Sequence, residues 1–515
     1  MTFPKRLVPL IALGLTAVLV AGSTGSVAAP DPPFRADAPF IRDAEGRVRF
    51  FHGVNAVWKG APYYPPSSVY PAPYAVPADK SFFDERDGAF LSENGLNSVR
   101  LGSLWVGTEP VEDAFDDAYL DRIEELVHML GSYGVTVVID SHQDMYNERF
   151  DGEGFPDWAT HNTIALPGGS EIEVPPTNCC GFPGNYFTPA ASRAFDNLWL
   201  DEFGLWDEYR DFWRHTAERF ADEPNLLGYG LFNEPWPGTQ TATCANPLSC
   251  PLFDVLFLQP FYEHVIEGIR EVDPSGMIWW DANVITNNGT LNSVGLLSPL
   301  KDPGANLGLS FHAYCLVGGF VPQLDDGDDP LCPVMNDLVF QMERSAAIRN
   351  DSAEFLTEFG ATDNLEIVAR MAELADRYMV SWHWWHYGEW SDPTTSGTGG
   401  IQGMFSNDLE RPGSLKQAKA DVLIRTYPQA VAGTPTAFSF DLETKEFVLT
   451  FLADPAIDAP TEVFVPVARH YGGAYSVSVS GPAAVTSAIS APLLTLENTG
   501  AGLVTVRVAR PAEDV

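Results

Sequence analysis

Eight short runs of apolar and β-branched residues recur along the chain, and stretches with a helical pattern of apolar residues lie between many of them. Several runs are almost continuously apolar, which is typical of parallel strands covered on both faces. Alternation of strand and helix repeated eight times predicts a (β/α)8 TIM barrel, an α/β fold. The predicted strands are residues 50–57, 96–101, 135–140, 226–234, 277–282, 308–314, 354–360 and 379–385, and the clearest predicted helices are residues 119–133, 209–221, 261–272 and 365–378.

The pattern changes beyond Tyr427, where short β-rich runs follow one another without a helical period. They are residues 447–451, 461–467, 475–480 and 503–508, and the last three largely alternate apolar and polar residues. This alternation predicts an antiparallel β-sandwich, because one face of each sheet packs into the core and the other is exposed to solvent. We therefore divide the chain after residue 29 into a catalytic barrel, residues 30–431, and a C-terminal β-sandwich, residues 432–515. The expected role of the sandwich is packing against the barrel, and independent sugar binding is the alternative.

The first 29 residues have the organisation of a secretory signal peptide. Lys5 and Arg6 precede an apolar core at residues 7–20, and residues 27–29 offer a small-residue cleavage site. An uncleaved anchor is the alternative, but the core is short for a membrane-spanning helix. We therefore expect a secreted monomer without stable membrane insertion, and the net charge of −39 argues against binding to nucleic acid.

Six cysteines in an exported chain suggest disulfide bonds. Cys244 and Cys250 would close one small loop, and Cys315 and Cys332 would close another that contains the acidic residues 325–329. The adjacent pair at 179–180 either bonds internally or stays reduced. A zinc site is disfavoured because no Cys-x2-Cys spacing occurs.

Two glutamates end apolar runs, at the position where a (β/α)8 barrel places its active site. Glu234 follows Asn233 at the end of the fourth run, and Glu358 lies in the seventh. Cleavage of a glycosidic bond needs one acid that holds a proton and one that is ionised and attacks the sugar carbon. We predict that Glu234 is the general acid/base, with a pKa raised by burial and by the second carboxylate, and that Glu358 is the nucleophile. An Asn-Glu-Pro sequence taken alone is also compatible with a capped helix start.

Polar side chains also end most of the other runs, a placement that core packing does not require. Arg100 and Tyr314 are predicted to donate hydrogen bonds to the nucleophile, and Asn233 to bond the sugar 2-hydroxyl. His142, Asp144 and Lys59 are predicted to bind other sugar hydroxyls. The alternative for His142 is a core histidine with satisfied hydrogen bonds, and the alternative for Arg100 is an ordinary salt bridge.

Two tryptophans of the eighth run, Trp382 and Trp384, lie on one side of the predicted strand because they are two residues apart. We predict that they form a flat apolar platform under a pyranose ring. The alternative is that they belong to the core of the barrel. The segment of residues 145–207 is too long for a plain connection and is predicted to form a loop over the active face.

Together these residues resemble the barrel signature of glycoside hydrolase family 5. The matching positions are Arg100, His142, Asn233, Glu234, His312, Tyr314, Glu358 and the region of residues 382–384. The resemblance implies a (β/α)8 barrel, retention of configuration at the sugar carbon, and neither a cofactor nor a metal.

More closely, the chain resembles the bacterial endoglycoceramidases of that family. The similar segments are Asp-Ser-His-Gln-Asp-Met-Tyr at residues 140–146, Arg-Ala-Phe-Asp-Asn-Leu-Trp at residues 193–199 and Tyr-Pro-Gln-Ala-Val-Ala-Gly-Thr-Pro at residues 427–435. The resemblance implies cleavage between the glycan and the ceramide of glycosphingolipids. It also carries over Lys59 and Asp144 as ligands of the sugar next to the ceramide.

Two segments depart from the pattern of the endoglycoceramidases, residues 380–386, which are richer in aromatic side chains, and residues 63–74. Both bear on the glycan that is accepted, and galactosylceramide-based glycolipids are an alternative substrate. The competing enzyme class is a secreted family 5 β-glucanase or β-glucosidase. A non-catalytic carbohydrate-binding protein is disfavoured by the presence of both acids, and a serine hydrolase by the lack of a Gly-x-Ser-x-Gly turn.

Overall fold

The computed structural model describes residues 32–67, 81–166, 170–244, 249–314, 331–390, 394 and 401–511. The predicted signal peptide, Cys315 and residues 325–329 lie outside the described residues.

Strands and helices occur along the whole described part of the chain. The strands are β1 (Phe34–Asp37), β2 (Phe40–Asp43), β3 (Val48–Arg49), β4 (His52–Ala56), β5 (Ser98–Gly102), β6 (Thr136–Asp140), β7 (Thr163–Ala165), β8 (Glu171–Glu173), β9 (Leu226–Gly230), β10 (Ile278–Asp281), β11 (Leu307–Ala313), β12 (Ala353–Gly360), β13 (Ser381–Trp385), β14 (Tyr427–Val431), β15 (Gly433–Phe440), β16 (Phe447–Ala453), β17 (Thr461–Phe464), β18 (Ser476–Ser480), β19 (Ala483–Val485), β20 (Leu493–Asn498) and β21 (Gly502–Ala509). The helices are α1 (Glu85–Glu93), α2 (Trp105–Thr108), α3 (Asp117–Ser132), α4 (Gly181–Gly184), α5 (Pro189–Trp199), α6 (Leu205–Phe220), α7 (Pro251–Phe253), α8 (Gln259–Val272), α9 (Cys332–Arg349), α10 (Leu365–Tyr378), α11 (Gln417–Leu423) and α12 (Val467–His470).

Eight parallel strands close into a barrel in the order β10-β11-β12-β13-β4-β5-β6-β9. Each of the eight predicted runs overlaps one of these strands, so the predicted TIM barrel is confirmed. The strands are buried along nearly their whole length. This burial explains why apolar residues run through them almost without interruption.

Inward-facing and outward-facing residues alternate along each barrel strand. On β6, Val138 packs inside the barrel with Trp279 and Phe355, whereas Ile139 joins the core between barrel and helices. The next inward residue is Asp140, at the C-terminal end of the strand. The lower part of the barrel is therefore filled by apolar side chains, and polar side chains gather at the upper end.

Helices α3 and α10 begin at capping residues and bury one apolar stripe. The Asp116 side chain accepts hydrogen bonds from the first backbone amides of α3, and Asn364 does the same for α10. The buried residues of α3 include Leu120, Ile123 and Val127, spaced three or four apart as a helix packed on one face requires.

The C-terminal part consists of two antiparallel sheets, as predicted. One has the strand order β15-β16-β21-β18, and the other has the order β1-β2-β3-β14-β17-β20-β19. Thus β14 and three N-terminal strands, which the sequence analysis assigned to the barrel segment, belong to a sandwich sheet. Their pairing is decided by contacts between distant parts of the chain, such as Val48 of β3 opposite Val431 of β14.

Disulfide bonds join Cys244 to Cys250, as predicted, and Cys179 to Cys180. Cys332 is disulfide-bonded as well. The segment of residues 145–207 is more ordered than a plain loop, since it holds the β7–β8 hairpin and helix α5. Within the part of the chain that is described, no helix combines the length and apolar character needed to cross a bilayer.

Candidate active site

The two acids predicted for catalysis come together at the C-terminal end of the barrel. Glu358 lies in β12, and Glu234 lies four residues beyond the end of β9. One carboxylate oxygen of each acid and one ring nitrogen of His312 all lie within 4.8 Å of one another. Both acids can therefore reach the atoms of a single glycosidic bond.

The carboxylate of Glu358 faces two donors and the ring of His312. Arg100 Nη1 lies 2.5 Å from Oε1, the Tyr314 hydroxyl donates to Oε2 at 3.0 Å, and His312 Nδ1 lies 3.4 Å from Oε2. The side chain is almost fully buried, where an ionised carboxylate needs charge-assisted hydrogen bonds to offset the loss of water. This arrangement stabilises a negative charge on Glu358.

Arg100 is held in place by further acceptors around its guanidinium group. Its Nη2 lies 2.8 Å from Asp140 Oδ1 and donates to Asn233 Oδ1 at 2.8 Å, and Nη1 contacts Asn55 Oδ1 at 3.2 Å. Burial disfavours the charge, but the facing carboxylates Asp140 and Glu358 raise the pKa of Arg100 above its usual value. The arginine therefore acts as a fixed cation that links side chains from β4, β6, β12 and the segment after β9.

Glu234 is held through its backbone and through one side-chain oxygen. Its backbone amide donates to Asp281 Oδ2 at 3.3 Å, and its Oε1 accepts from Asn287 Nδ2 at 2.8 Å and lies 2.7 Å from His312 Nδ1. Burial, with the charge of Asp144 adding to it, raises the pKa of Glu234 to about 7. A carboxyl group with this pKa still holds its proton near neutral pH, as a general acid must.

Lys59 lies at the centre of a second polar cluster beside the acid pair. Its Nζ lies 2.5 Å from Asp144 Oδ2, donates to Thr394 Oγ1 at 2.6 Å, and lies 3.5 Å from Glu153 Oε1. The Tyr186 hydroxyl donates to the other oxygen of Asp144 at 3.1 Å. These buried donors and acceptors match the hydroxyl groups of a sugar.

His142 joins the two clusters. Its Nδ1 lies 2.9 Å from Asp140 Oδ2, and its Nε2 lies 3.5 Å from Asp144 Oδ2 and 3.4 Å from Asn233 Nδ2. Burial acts against the charged ring, but hydrogen bonds with Asp140 and Asp144 raise the pKa of His142 to about 9. The two carboxylates therefore favour the protonated ring of His142 within the predicted sugar site.

Three clusters of the described residues have the residue types of a metal site, and two of them lie in the candidate active site: His142 with Asp144 and Glu153, and Glu234 with His312 and Glu358. In the first, Lys59 Nζ already supplies a positive charge between the two carboxylates. In the second, Arg100 does the same for Glu358.

The structure contradicts the predicted platform of Trp382 and Trp384. Both side chains point out of the barrel into the main core and are fully buried. Trp382 stacks on His52, and Trp384 donates to the backbone oxygen of Gln402. The predicted two-residue period is correct, but this side of β13 is the outer one.

Trp385 has the opposite orientation and faces the polar cluster. Its ring stacks against His142 with centroids 5.2 Å apart, and Lys59 Nζ lies 4.7 Å from its centroid. Its indole nitrogen donates to Gln402 Oε1 at 3.1 Å. Of the three tryptophans of β13, Trp385 is therefore the one placed to meet a sugar.

The structure brings Lys59, Arg100, His142, Asp144, Asn233, His312 and Tyr314 into these two clusters. Residues that the sequence analysis missed are Asp140, Glu153, Tyr186, Asp281, Asn287 and Trp385. Asp140 and Asp281 end barrel strands, so their position was a usable signal. Glu153, Tyr186 and Asn287 come from connections between strands, where no periodic pattern identifies them.

The chain matches two models of protein families. Residues 78–391 match Cellulase (glycosyl hydrolase family 5), and residues 425–508 match the Glycoside hydrolase family 5 C-terminal domain.

Similar proteins cover nearly the whole chain. Endoglycoceramidase I of Rhodococcus hoagii (strain 103S) is 31% identical over 492 residues, which cover 94% of this chain and 89% of the relative. Endoglycoceramidase of Hydra vulgaris is 29% identical over 499 residues, 92% of this chain and 87% of the relative. The solved structure of endo-glycoceramidase II from Rhodococcus sp. with a five-membered iminocyclitol has a TM-score of 0.71 and 28% identity, and the match covers 92% of this chain and 100% of that one.

Proposed function

Since this chain belongs to glycoside hydrolase family 5 and is therefore a glycosidase, we propose that it cleaves the β-glycosidic bond between the glycan and the ceramide of glycosphingolipids. The observation that carries the proposal is the likeness to proteins named endoglycoceramidases over 94% of the chain. That likeness extends through both the barrel and the C-terminal sheets, and an acid pair suited to glycoside cleavage lies at the barrel end.

The proposed reaction retains the configuration of the sugar carbon. Glu358 attacks the anomeric carbon while Glu234 protonates the ceramide oxygen, which leaves a glycan bound covalently to Glu358. Glu234 then removes a proton from water, and this water releases the glycan. The spacing supports retention, because the carboxylate oxygens lie within 4.8 Å and inverting enzymes separate their carboxyl groups by about 6.5–9.5 Å.

The sugar next to the ceramide is proposed to bind between the Lys59 cluster and the ring of Trp385. Lys59 and Asp144 offer a donor and an acceptor to its hydroxyl groups, and His142 adds a charged donor. Asn233, whose amide oxygen is already held by Arg100, is proposed to bond the 2-hydroxyl.

Apolar side chains at the starts of two barrel helices support a substrate with a lipid part. Helices α8 and α9 each end shortly before a barrel strand begins, so their starts lie on the barrel face that carries the acids. Leu252 and Leu256 precede α8, Val334 lies in the first turn of α9, and all three are more than half exposed. We propose that they contact the hydrocarbon chains of the substrate or its lipid assembly.

We further propose that the protein is exported with removal of residues 1–29 and acts as a monomer. The order of charged, apolar and small residues at the start of the chain supports the export and the cleavage. Sequencing the N-terminus of protein recovered from the culture medium tests the proposed cleavage.

The decisive experiment compares wild type with Glu358→Gln on a panel of detergent-dispersed glycolipids with glucose or galactose next to the ceramide. Mass spectrometry should detect free ceramide and intact glycan from wild type, and a loss of about 10³-fold or more in the variant. Glu354→Gln is the matched control, because Glu354 lies at the opposite end of β12 and pairs with Arg344. Release of reducing ends from a soluble β-glucan, with no ceramide from any glycolipid, would replace this proposal by a β-glucanase or β-glucosidase.

A further inference from the structure

Asn287 is the residue of the β10–β11 connection that touches the proposed general acid. It belongs to a 3-10 turn, Val284–Asn288, that begins three residues after β10. Its Nδ2 donates to Glu234 Oε1 at 2.8 Å. An amide nitrogen can only donate, so Asn287 marks this carboxyl oxygen as an acceptor.

His312 contacts the same carboxyl oxygen of Glu234. Its Nδ1 lies 2.7 Å from Glu234 Oε1. Burial lowers the pKa of His312 and so favours the neutral ring; in the tautomer that carries its proton on Nδ1, the ring donates to Oε1. Two donors then occupy Oε1, and the remaining oxygen, Oε2, is free to carry the acid's own proton.

We propose that Asn287 is a positioning residue which, together with His312, assigns the transferable proton of Glu234 to Oε2. This inference rests on the proposed role of Glu234 as general acid/base. A general acid is effective only when its proton points at the leaving oxygen. With one donor removed from Oε1, the proton is shared between both oxygens, and part of the population points away from the substrate.

The turn that carries Asn287 is anchored from outside the site by two buried acids. Asn283, which caps the turn, donates to Asp254 Oδ1 at 2.7 Å, and the Ser293 backbone amide donates to Asp254 Oδ2 at 2.9 Å. Glu343 of α9 accepts from Asn292 at 2.7 Å.

Burial raises the pKa of Asp254 to about 7 and that of Glu343 to about 8. Buried carboxyl groups are expensive in folding free energy. These two carboxyl groups hold the β10–β11 connection in place on both sides of Asn287.

Other titratable groups face Glu234 from the surrounding elements and stay in place in every variant below. They are Lys59, His142, Asp144, Tyr186, His312, Tyr314 and Glu358. A change in the titration of Glu234 in these variants therefore reports the loss of the Asn287 donor.

The test uses Asn287→Ala and Asn287→Leu, with Asn288→Ala as the matched control. Asn288 lies in the same turn, but its amide donates to the Ile285 backbone oxygen rather than to Glu234. Asn287→Leu keeps a side chain of similar size and adds no charge while it removes the donor, so it separates hydrogen bonding from packing. It also covers the case in which the alanine variant folds poorly.

Each enzyme is assayed from pH 5 to 10 with a dinitrophenyl glycoside, which leaves without protonation, and with an alkyl glycoside, which needs it. In both Asn287 variants the basic limb of kcat/KM should move up by about one pH unit, because a donor that stabilises the ionised acid is lost. The kcat/KM for the alkyl glycoside should fall about tenfold, against about threefold or less for the dinitrophenyl glycoside. Asn288→Ala should match wild type.

Equal losses on both substrates, or an unmoved basic limb, would overturn the positioning role. Because the alkyl and dinitrophenyl glycosides carry no ceramide, this test is independent of the lipid substrate. If the wild-type enzyme cleaves these glycosides but no glycolipid, the proposed function is wrong. The comparison of the Asn287 variants still tests the positioning role in that case.

Discussion

Two neighbouring tryptophans, Trp384 and Trp385, should respond in opposite ways to substitution. The Trp384 ring is fully buried, with Phe359 edge-on against it and Lys419 Nζ 4.8 Å from its centroid. Replacement of a buried tryptophan by alanine costs about 3–5 kcal/mol of unfolding free energy. The kcat/KM of the fraction that folds should stay within about threefold of wild type, since no catalytic group contacts this ring.

Trp385→Ala removes the ring that stacks on His142 and faces Lys59. Lost ring contact with a sugar is worth about 1–2 kcal/mol, or about 5–30-fold in kcat/KM. The unfolding free energy should fall less than in Trp384→Ala, because Trp385 contacts the small cluster of Val57, Leu104 and Ala361 rather than the main core.

Urea unfolding and steady-state kinetics on an alkyl glycoside measure the two effects separately. Trp384→Phe and Trp385→Phe are the milder pair if an alanine variant does not fold. The assignment of the sugar-facing ring is wrong if the substitutions at 384 lower kcat/KM of folded enzyme tenfold while those at 385 do not.

Two further outcomes follow from buried acids. Because the protonated form of Glu234 donates and burial raises its pKa to about 7, kcat/KM on an alkyl glycoside should fall about tenfold for each pH unit above about 7; a wild-type profile that is flat to pH 9 contradicts this. Burial also raises the pKa of Glu343 to about 8, so its contribution to stability is full below about pH 4 and is lost as the pH rises through 8. Glu343→Gln should therefore raise the unfolding free energy at pH 8 by about 4 kcal/mol and change it little at pH 4. Urea unfolding with no gain at pH 8 would refute the burial argument.

The barrel could be predicted because parallel strands buried on both faces leave apolar runs that local sequence shows directly. The acids could be predicted because a barrel gathers the ends of those runs at one face. The choice between Trp382 or Trp384 and Trp385 depends on which side of β13 points inward. His383, which points inward and lies 2.9 Å from Ser98 Oγ, gives the answer, but only once the neighbouring strand is known.

Contacts made by connections between strands could not be predicted. Asn287 lies 53 residues from Glu234, in a stretch without helical or strand period, and only the folded barrel brings them together. The same holds for Tyr186, which reaches Asp144 from the long segment after β6. Strands β1–β3 joined the sandwich for a related reason, because their short runs fit either sheet and distant partners decide the pairing.

The two acids are held in different ways, and this difference has consequences for the reaction. Glu358 lies within β12, and its orientation follows from the barrel frame and Arg100. Glu234 lies beyond its strand with a φ of +45°, a left-handed conformation that costs a non-glycine residue about 1 kcal/mol or more. Asp281 holds its backbone amide, and Asn287 and His312 hold one carboxyl oxygen. Changes in the β10–β11 connection should therefore affect proton transfer more than nucleophilic attack, because that connection supports only the acid that carries the proton.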